Sequence, residues 1–382
     1  MKNLYKLFYK RLPVPTVATD NNLYLLNATE HRTLQRLERW AMLISGVIGT
    51  LAVLLLYLPQ YQFPQFFPEH DIDLPIVGKI AVPLVATIYG VILVFLEIWA
   101  LTLLHVYCIH HMAVATGYIT ETTKFAGDKQ QKIMAVSTEE KDKTLLNYGI
   151  DPYQGLKTSY VWLFNLLMAL KATLSNMVVK ILVRRFLGRF AVREVLDLLG
   201  IPIFAFWNIM ATRTILREAR VMIMGQNLID SFLPFFKETA WEIKDVAESK
   251  SLIYDTLQFI AVSKRDYHAN HAYLTAKVLP AFDIAIETQH HISDDYAQRL
   301  AAADPVVNQF CQLLIVLGLL LDGQISAREQ LKIHLLHKDG IIDLSVSELV
   351  ALKNDFLEGR GIGQLMDKDW SKQGLNFKEL IL

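Results

Sequence analysis

The run WAMLISGVIGTLAVLLLYL, from Trp40 to Leu58, carries no charge, and it constrains the chain more than any other stretch. As a helix rising about 1.5 Å per residue it is roughly 28 Å long, the thickness of a bilayer's hydrocarbon core. Trp40 and Tyr57 stand near its ends, where amphipathic rings favour a membrane interface. A buried helix of a soluble domain is the alternative, and the length argues against it. A second apolar run is charge-free from Ile80 to Leu96, with Pro83 in its first turn, and continues past Glu97 to Cys108. The two runs predict transmembrane helices over about 40–58 and 80–104. A span starting near Ile80 reaches the far interface near Leu101, which puts Glu97 close to that interface, where a carboxylate is less costly than at mid-depth.

Before the first run, Thr29 is read as the N-cap of the helix that leads into it. Between the runs, Pro59, Pro64, Pro68 and Pro75 alternate with aromatic and acidic residues, which predicts a loop. Lys2, Lys6, Lys10, Arg11, Arg32, Arg36 and Arg39 precede the first run, whereas the loop is acidic. The positive-inside rule then places the N-terminus in the cytoplasm and the loop outside. The N-terminal segment lacks the apolar core of a signal peptide. Its basic and aromatic residues suit either a membrane surface or a disordered tail.

Apolar residues make up 53% of the chain and charged residues 20%, below the usual share of about 25%. The net charge of zero gives no support to a nucleic-acid partner. Cys108 and Cys311, the two cysteines, exclude a disulfide framework and suit a reducing compartment.

The sequence divides into a cytoplasmic segment 1–39, the two spans within 40–108, a linker 109–158, a membrane-associated region 159–225 and a soluble helical domain 226–382. In the linker, Ser137 and Glu140 have capping-box spacing and predict a helix start. Residues 160–212 hold two further apolar segments. Lys171 interrupts the first, and the second is charge-free only from Leu198 to Thr212. A full crossing would leave Arg184, Arg185 and Arg189 in a short external loop, against the charge rule. The expectation is therefore a pair of helices that dips into the cytoplasmic leaflet, with a crossing hairpin as the alternative; both return the C-terminus to the cytoplasm. Arg184, Arg185, Arg189 and Arg193, with Arg213, Arg217 and Arg220 further on, are candidate contacts to anionic lipids, each contributing about 1 kcal/mol near such a surface.

The stretch GIPIFAFWNIMATRTILREARVMIMG resembles the end of the EcsC family through Gly200, Pro202, Asn208, Thr212 and Ala219. That resemblance implies a bacterial membrane location and a link to transport or secretion. Further on, LDGQISAREQL and KDGIIDLSVSEL each place Asp-Gly before a serine and a glutamate. Ser326 with Glu329, and Ser345 with Glu348, have capping-box spacing. The pattern resembles TerB-like helical domains, which implies a stress-response role and, in some members, acidic metal sites. The positions that would correspond are Asp322, Glu329, Asp339, Asp343 and Glu348. The spacing is not that of an EF-hand, and the helix-capping reading is preferred.

The very apolar stretch from Phe310 to Leu321 is too short to span and predicts a central buried helix. His105, Cys108 and His111, then His268 and His271, then Glu287, His291 and Asp295, have helical spacings that bring ligand types together, yet none completes a metal site alone. No Walker A loop, dinucleotide fingerprint, nucleophile elbow or HExxH motif occurs. The reading is an all-α inner-membrane protein, non-catalytic and without a cofactor. It would act as scaffold or sensor in envelope upkeep or stress response through an unidentified protein partner. A transporter or channel subunit and a metal-dependent enzyme are the alternatives.

Overall fold

The computed structural model describes residues 2–14, 26–68, 70–74, 78–82, 84–120, 127–138, 143–154, 200–243 and 247–360. Helix dominates. The sheet among these residues is a single antiparallel hairpin, β1 (His70–Leu74) with β2 (Gly78–Val82), in which Ile72 pairs with Ile80. The helices are α1 (Lys2–Arg11), α2 (Ala28–Gln62), α3 (Leu84–Ala115), α4 (Gly127–Ser137), α5 (Gly200–Glu242), α6 (Ala247–Lys264), α7 (Ala269–Ala281), α8 (Tyr296–Ala302), α9 (Pro305–Leu320), α10 (Ala327–Lys338) and α11 (Val346–Glu358). Helices α2 and α3 are both long and apolar enough to cross a membrane.

Several local expectations are corrected. The N-terminus of α2 is capped by Asn27, not Thr29: its Oδ1 accepts from the amides of Thr29 and Glu30, each at 2.9 Å, and Glu30 accepts from Asn27 N in return. Asn27 wins because its short amide reaches two otherwise unpaired amides at once. The loop between the apolar runs contains a 3-10 turn, Pro64–Phe66, and the β-hairpin. Ile80 to Val82, expected to begin the second span, are strand residues, and α3 starts at Leu84. Ser137 ends α4 instead of opening a helix, its hydroxyl donating to Ile133 O at 2.7 Å. Helix α5 runs unbroken past residue 225, where the sequence suggested a division.

The chain falls into two compact units. The first comprises residues 1–12, 35–108 and 157–216; the second comprises 13–34, 109–156 and 217–382. In the first unit α2 and α3 are antiparallel: Leu56 faces Gly90, and the Tyr89 hydroxyl donates to Leu55 O at 2.7 Å. The start of α5 is also antiparallel to α2. Gly46 lies against Ile209, and Gly49 lies against the Phe204 carbonyl and Asn208. A Cβ at Gly49 would meet Asn208 Nδ2 at 2.8 Å and Phe204 O at 2.9 Å, so glycine permits the close approach.

The second unit is a helical domain around one hydrophobic core. Helix α9 is buried along almost its whole length and packs on α6, with Gly318 admitting the Ile260 side chain. Phe235 and Phe236 of α5 meet Phe310 of α9, the last at a centroid distance of 5.8 Å from Phe236 and nearly perpendicular to it. Edge-to-face packing of this kind adds about 0.5–1.5 kcal/mol per pair beyond burial. Asn270 ties α7 to this core by donating to Val221 O at 3.0 Å and Leu321 O at 2.7 Å.

Candidate functional site

The first unit carries an unusual polar junction. Asn208 Nδ2 of α5 donates to Glu97 Oε1 of α3 at 2.7 Å, beside Gly49 of α2. Glu97, seven residues on from Gly90, comes level with Gly49, seven back from Leu56. Gly49 is the midpoint of the uncharged run Trp40–Leu58. Glu97 therefore lies opposite the middle of that run and not near its end. Helix α3 starts at Leu84, four residues after the Ile80 from which the sequence pattern counts the span. Toward the Trp40 end, His105 Nε2 and Thr212 Oγ1 are hydrogen-bonded at 3.0 Å, with Thr212 fully buried. Ser45 of α2 and Thr102 of α3 are also buried in this half.

The outward faces of the same helices are apolar. On α2, Leu43, Val47, Leu51 and Leu55 are each about half exposed, as are Ile88, Val91, Ile92, Phe95 and Ile98 on α3. Phe206 and Trp207 extend the band on α5. Contiguous apolar surface far beyond a few hundred Å² marks an interface with something apolar.

In the second unit the chemically capable side chains are engaged with one another. Lys264, whose side chain is 1% exposed, ends α6 and donates to Asp322 Oδ1 at 2.7 Å and to Gln324 O at 2.6 Å, with Glu329 Oε1 3.2 Å away. Two of the acidic residues implied by the TerB-like pattern thus meet on an internal ammonium. Glu329 Oε2 accepts from Ser326 N at 2.6 Å and completes the cap of α10. Ser345 and Glu348 cap α11 in the same way. Gly323 and Gly340, the glycines of the two Asp-Gly pairs, have φ of +66° and +69°, a conformation that explains their choice. Asp339 caps the C-terminus of α10, and the Asp343 amide donates to Gln312.

A second cluster centres on Asp255, 1% exposed on α6. It accepts from His290 Nε2 and Arg299 Nη1 at 2.8 Å each and from the Ser293 hydroxyl at 2.7 Å. His290 Nδ1 reaches Glu287 at 2.9 Å, and its ring stacks on Tyr254 at 3.9 Å. Burial alone would lower the His290 pKa, but the two carboxylates outweigh it and raise it. Burial pushes Asp255 up, while His290, Ser293 and Arg299 bring its net value below the ordinary one. The serine binds the carboxylate and not the imidazole, so this is not a nucleophilic triad.

The other expected ligand groups do not converge. His271 Nε2 bonds Gly318 O at 2.8 Å, and His268 Nδ1 accepts from Asn270 N at 3.2 Å. Both histidines are buried, and desolvation holds each down to about 4. His291 bonds Gln154 instead of a metal partner. Among the described residues no group of three or more His, Cys, Asp or Glu could hold a metal ion. Arg184, Arg185, Arg189 and Arg193 lie outside the described residues. Arg213 and Arg217 are exposed on α5, whereas Arg220 is half-buried with Nη2 3.5 Å from His31.

The pairs Glu97–Asn208, Lys264–Asp322 and Asp255–Arg299 were not anticipated as pairs. Asp255 did carry a signal: in SLIYDTLQFI it is the one charge in an apolar helical pattern. Compared with protein-family models, curated proteins and solved structures, the chain matches none.

Proposed function

We propose that the protein is an integral membrane protein whose α2, α3 and the start of α5 sit in a bilayer, and whose second unit is a non-catalytic cytoplasmic scaffold or sensor domain. The apolar outward band on these three helices carries the reading, since water exposure of such a surface is strongly unfavourable. Arg36, Arg39 and Arg213, all exposed, gather at the Trp40 end and suit a cytoplasmic interface rich in anionic lipid. By the same register Gly200, at the start of α5, lies about 9 Å past the midpoint of the run. In the second unit Lys264, Asp255, His268, His271 and His290 are consumed by internal hydrogen bonds. That pattern suits a domain that presents a surface to a protein partner in envelope upkeep or stress response better than one that turns over a substrate.

The EcsC-like residues Asn208, Thr212 and Ala219 turn inward, and the TerB-like serines cap helices. Both likenesses therefore fall on positions with a packing role. Gln65, exposed between α2 and α3, and Ala327, exposed on α10, test the layout. With the buried native cysteines silent, Gln65→Cys reacts with an impermeant thiol reagent in intact cells and Ala327→Cys reacts only after permeabilisation. Equal labelling in intact cells, or release of the protein by alkaline carbonate, would overturn the proposal.

A further inference from the structure

We propose that Glu97 and Asn208 form a proton-binding site at the middle of the bilayer, reached from the Trp40 side past Thr212 and His105. The inference rests on the membrane reading above and adds a ligand and a direction of access to it. A carboxylate at mid-depth is compensated by little among the described neighbours: α5 offers the neutral amide of Asn208, and α2 offers Gly49. A charged side chain at that depth is costly, and such residues mark ion or proton pathways. A metal cation would need several oxygen ligands, and no group of ligating side chains assembles here among the described residues. A proton needs only the carboxyl itself, with Asn208 holding one oxygen in place.

The direction of access follows from where the polar groups lie. Ser45, Thr102, His105 and Thr212 are all buried between Glu97 and the Trp40 end. His105 is eight residues beyond Glu97, so the two face the same side of α3 about 12 Å apart. Water between them would complete the path. Toward the Leu58 end the outward positions of α3, Val85, Ile88, Val91, Ile92 and Phe95, are apolar, and the hydroxyl of the facing Tyr89 is engaged by Leu55 O at 2.7 Å. No titratable group of α2 or α5 faces the junction among the described residues: Arg213 follows Thr212 but is exposed.

The test uses the full-length protein in sealed phosphatidylcholine–phosphatidylglycerol vesicles, sorted by N-terminal orientation, with a short pulse of dicyclohexylcarbodiimide. A neutral carboxyl adds across the carbodiimide: the proton goes to nitrogen, the carboxylate oxygen bonds to carbon, and an oxygen-to-nitrogen acyl shift leaves a stable N-acylurea. Peptide mass spectrometry should find the adduct on Glu97, and Glu97→Gln should abolish it. Raising the pH on the Trp40 side alone should reduce labelling within the pulse, and His105→Phe should remove that response. An unlabelled Glu97 in protein that resists carbonate extraction overturns the site and leaves the membrane reading standing. Labelling that follows the pH of the opposite side, or that responds equally in His105→Phe, overturns the path. Release of the protein by carbonate overturns the membrane reading instead.

Discussion

Lys264 is the residue on which the acidic turn of the second unit depends. Its ammonium is almost fully enclosed and meets both Asp322 and Glu329. Replacing it by methionine keeps the length but leaves two carboxylates without their counter-charge, which costs about 3–5 kcal/mol when a buried pair is broken. Denaturant unfolding of Lys264→Met in detergent should show a loss of that size. If the turn were held by packing alone, the variant would unfold at the wild-type midpoint. The two buried histidines make a separate prediction. Their folded values near 4 lie below the ordinary 6.5, so the unfolded chain binds more protons between those limits. Stability is then full above about pH 6.5 and falls as the pH drops toward 4, by about 1.4 kcal/mol per pH unit for each proton taken up. His290, whose value is raised, acts oppositely: its contribution is present below 6.5 and fades as the pH rises through its folded value. The variant His268→Asn with His271→Gln, which keeps an acceptor and a donor, should flatten the acid limb of the melting curve. An unchanged acid limb would show that other groups produce it.

At the scale of elements, the glycines of the first unit separate packing from propensity. Gly49 touches the α5 backbone, whereas a Cβ at Gly90 would meet Leu56 at an ordinary 3.5 Å. Gly49→Ala should therefore destabilise by about 1–3 kcal/mol, the usual effect of overpacking. Gly90→Ala should be neutral or stabilising by up to about 1 kcal/mol through helix propensity. Thermal melts of both variants decide it; equal effects would mean that α5 does not pack as described. The caps offer a parallel case. Ser326→Ala and Ser345→Ala should each cost about 0.5–2 kcal/mol, the former more because Glu329 is buried and Glu348 exposed. These caps were legible because a serine and a glutamate three apart meet through local bonds alone. The start of α3 was not: Ile80 to Val82 are apolar enough to continue a helix pattern, and their pairing with β1 is decided by residues across a turn. Partners such as Asn208 for Glu97, or Arg299 for Asp255, are 111 and 44 residues apart and leave no periodic trace in the sequence.

For the whole molecule, the excess of apolar residues gathers in long uncharged runs, two of which form the long apolar helices α2 and α3. The proposed membrane reading requires that α3 span a bilayer with the level of Glu97 at its middle. Nitroxide labels at Ile88, Phe95 and Tyr107, all exposed on α3, measure this directly. By the register with α2 they stand level with Leu58, Leu51 and Arg39, at one end, near the middle and at the other end of the uncharged run. In phospholipid vesicles, collision rates with oxygen and with a water-soluble nickel chelate give the depth of each. The greatest depth is expected at Phe95, with shallow, similar depths at Ile88 and Tyr107. Equal access of the nickel chelate to all three positions would contradict it.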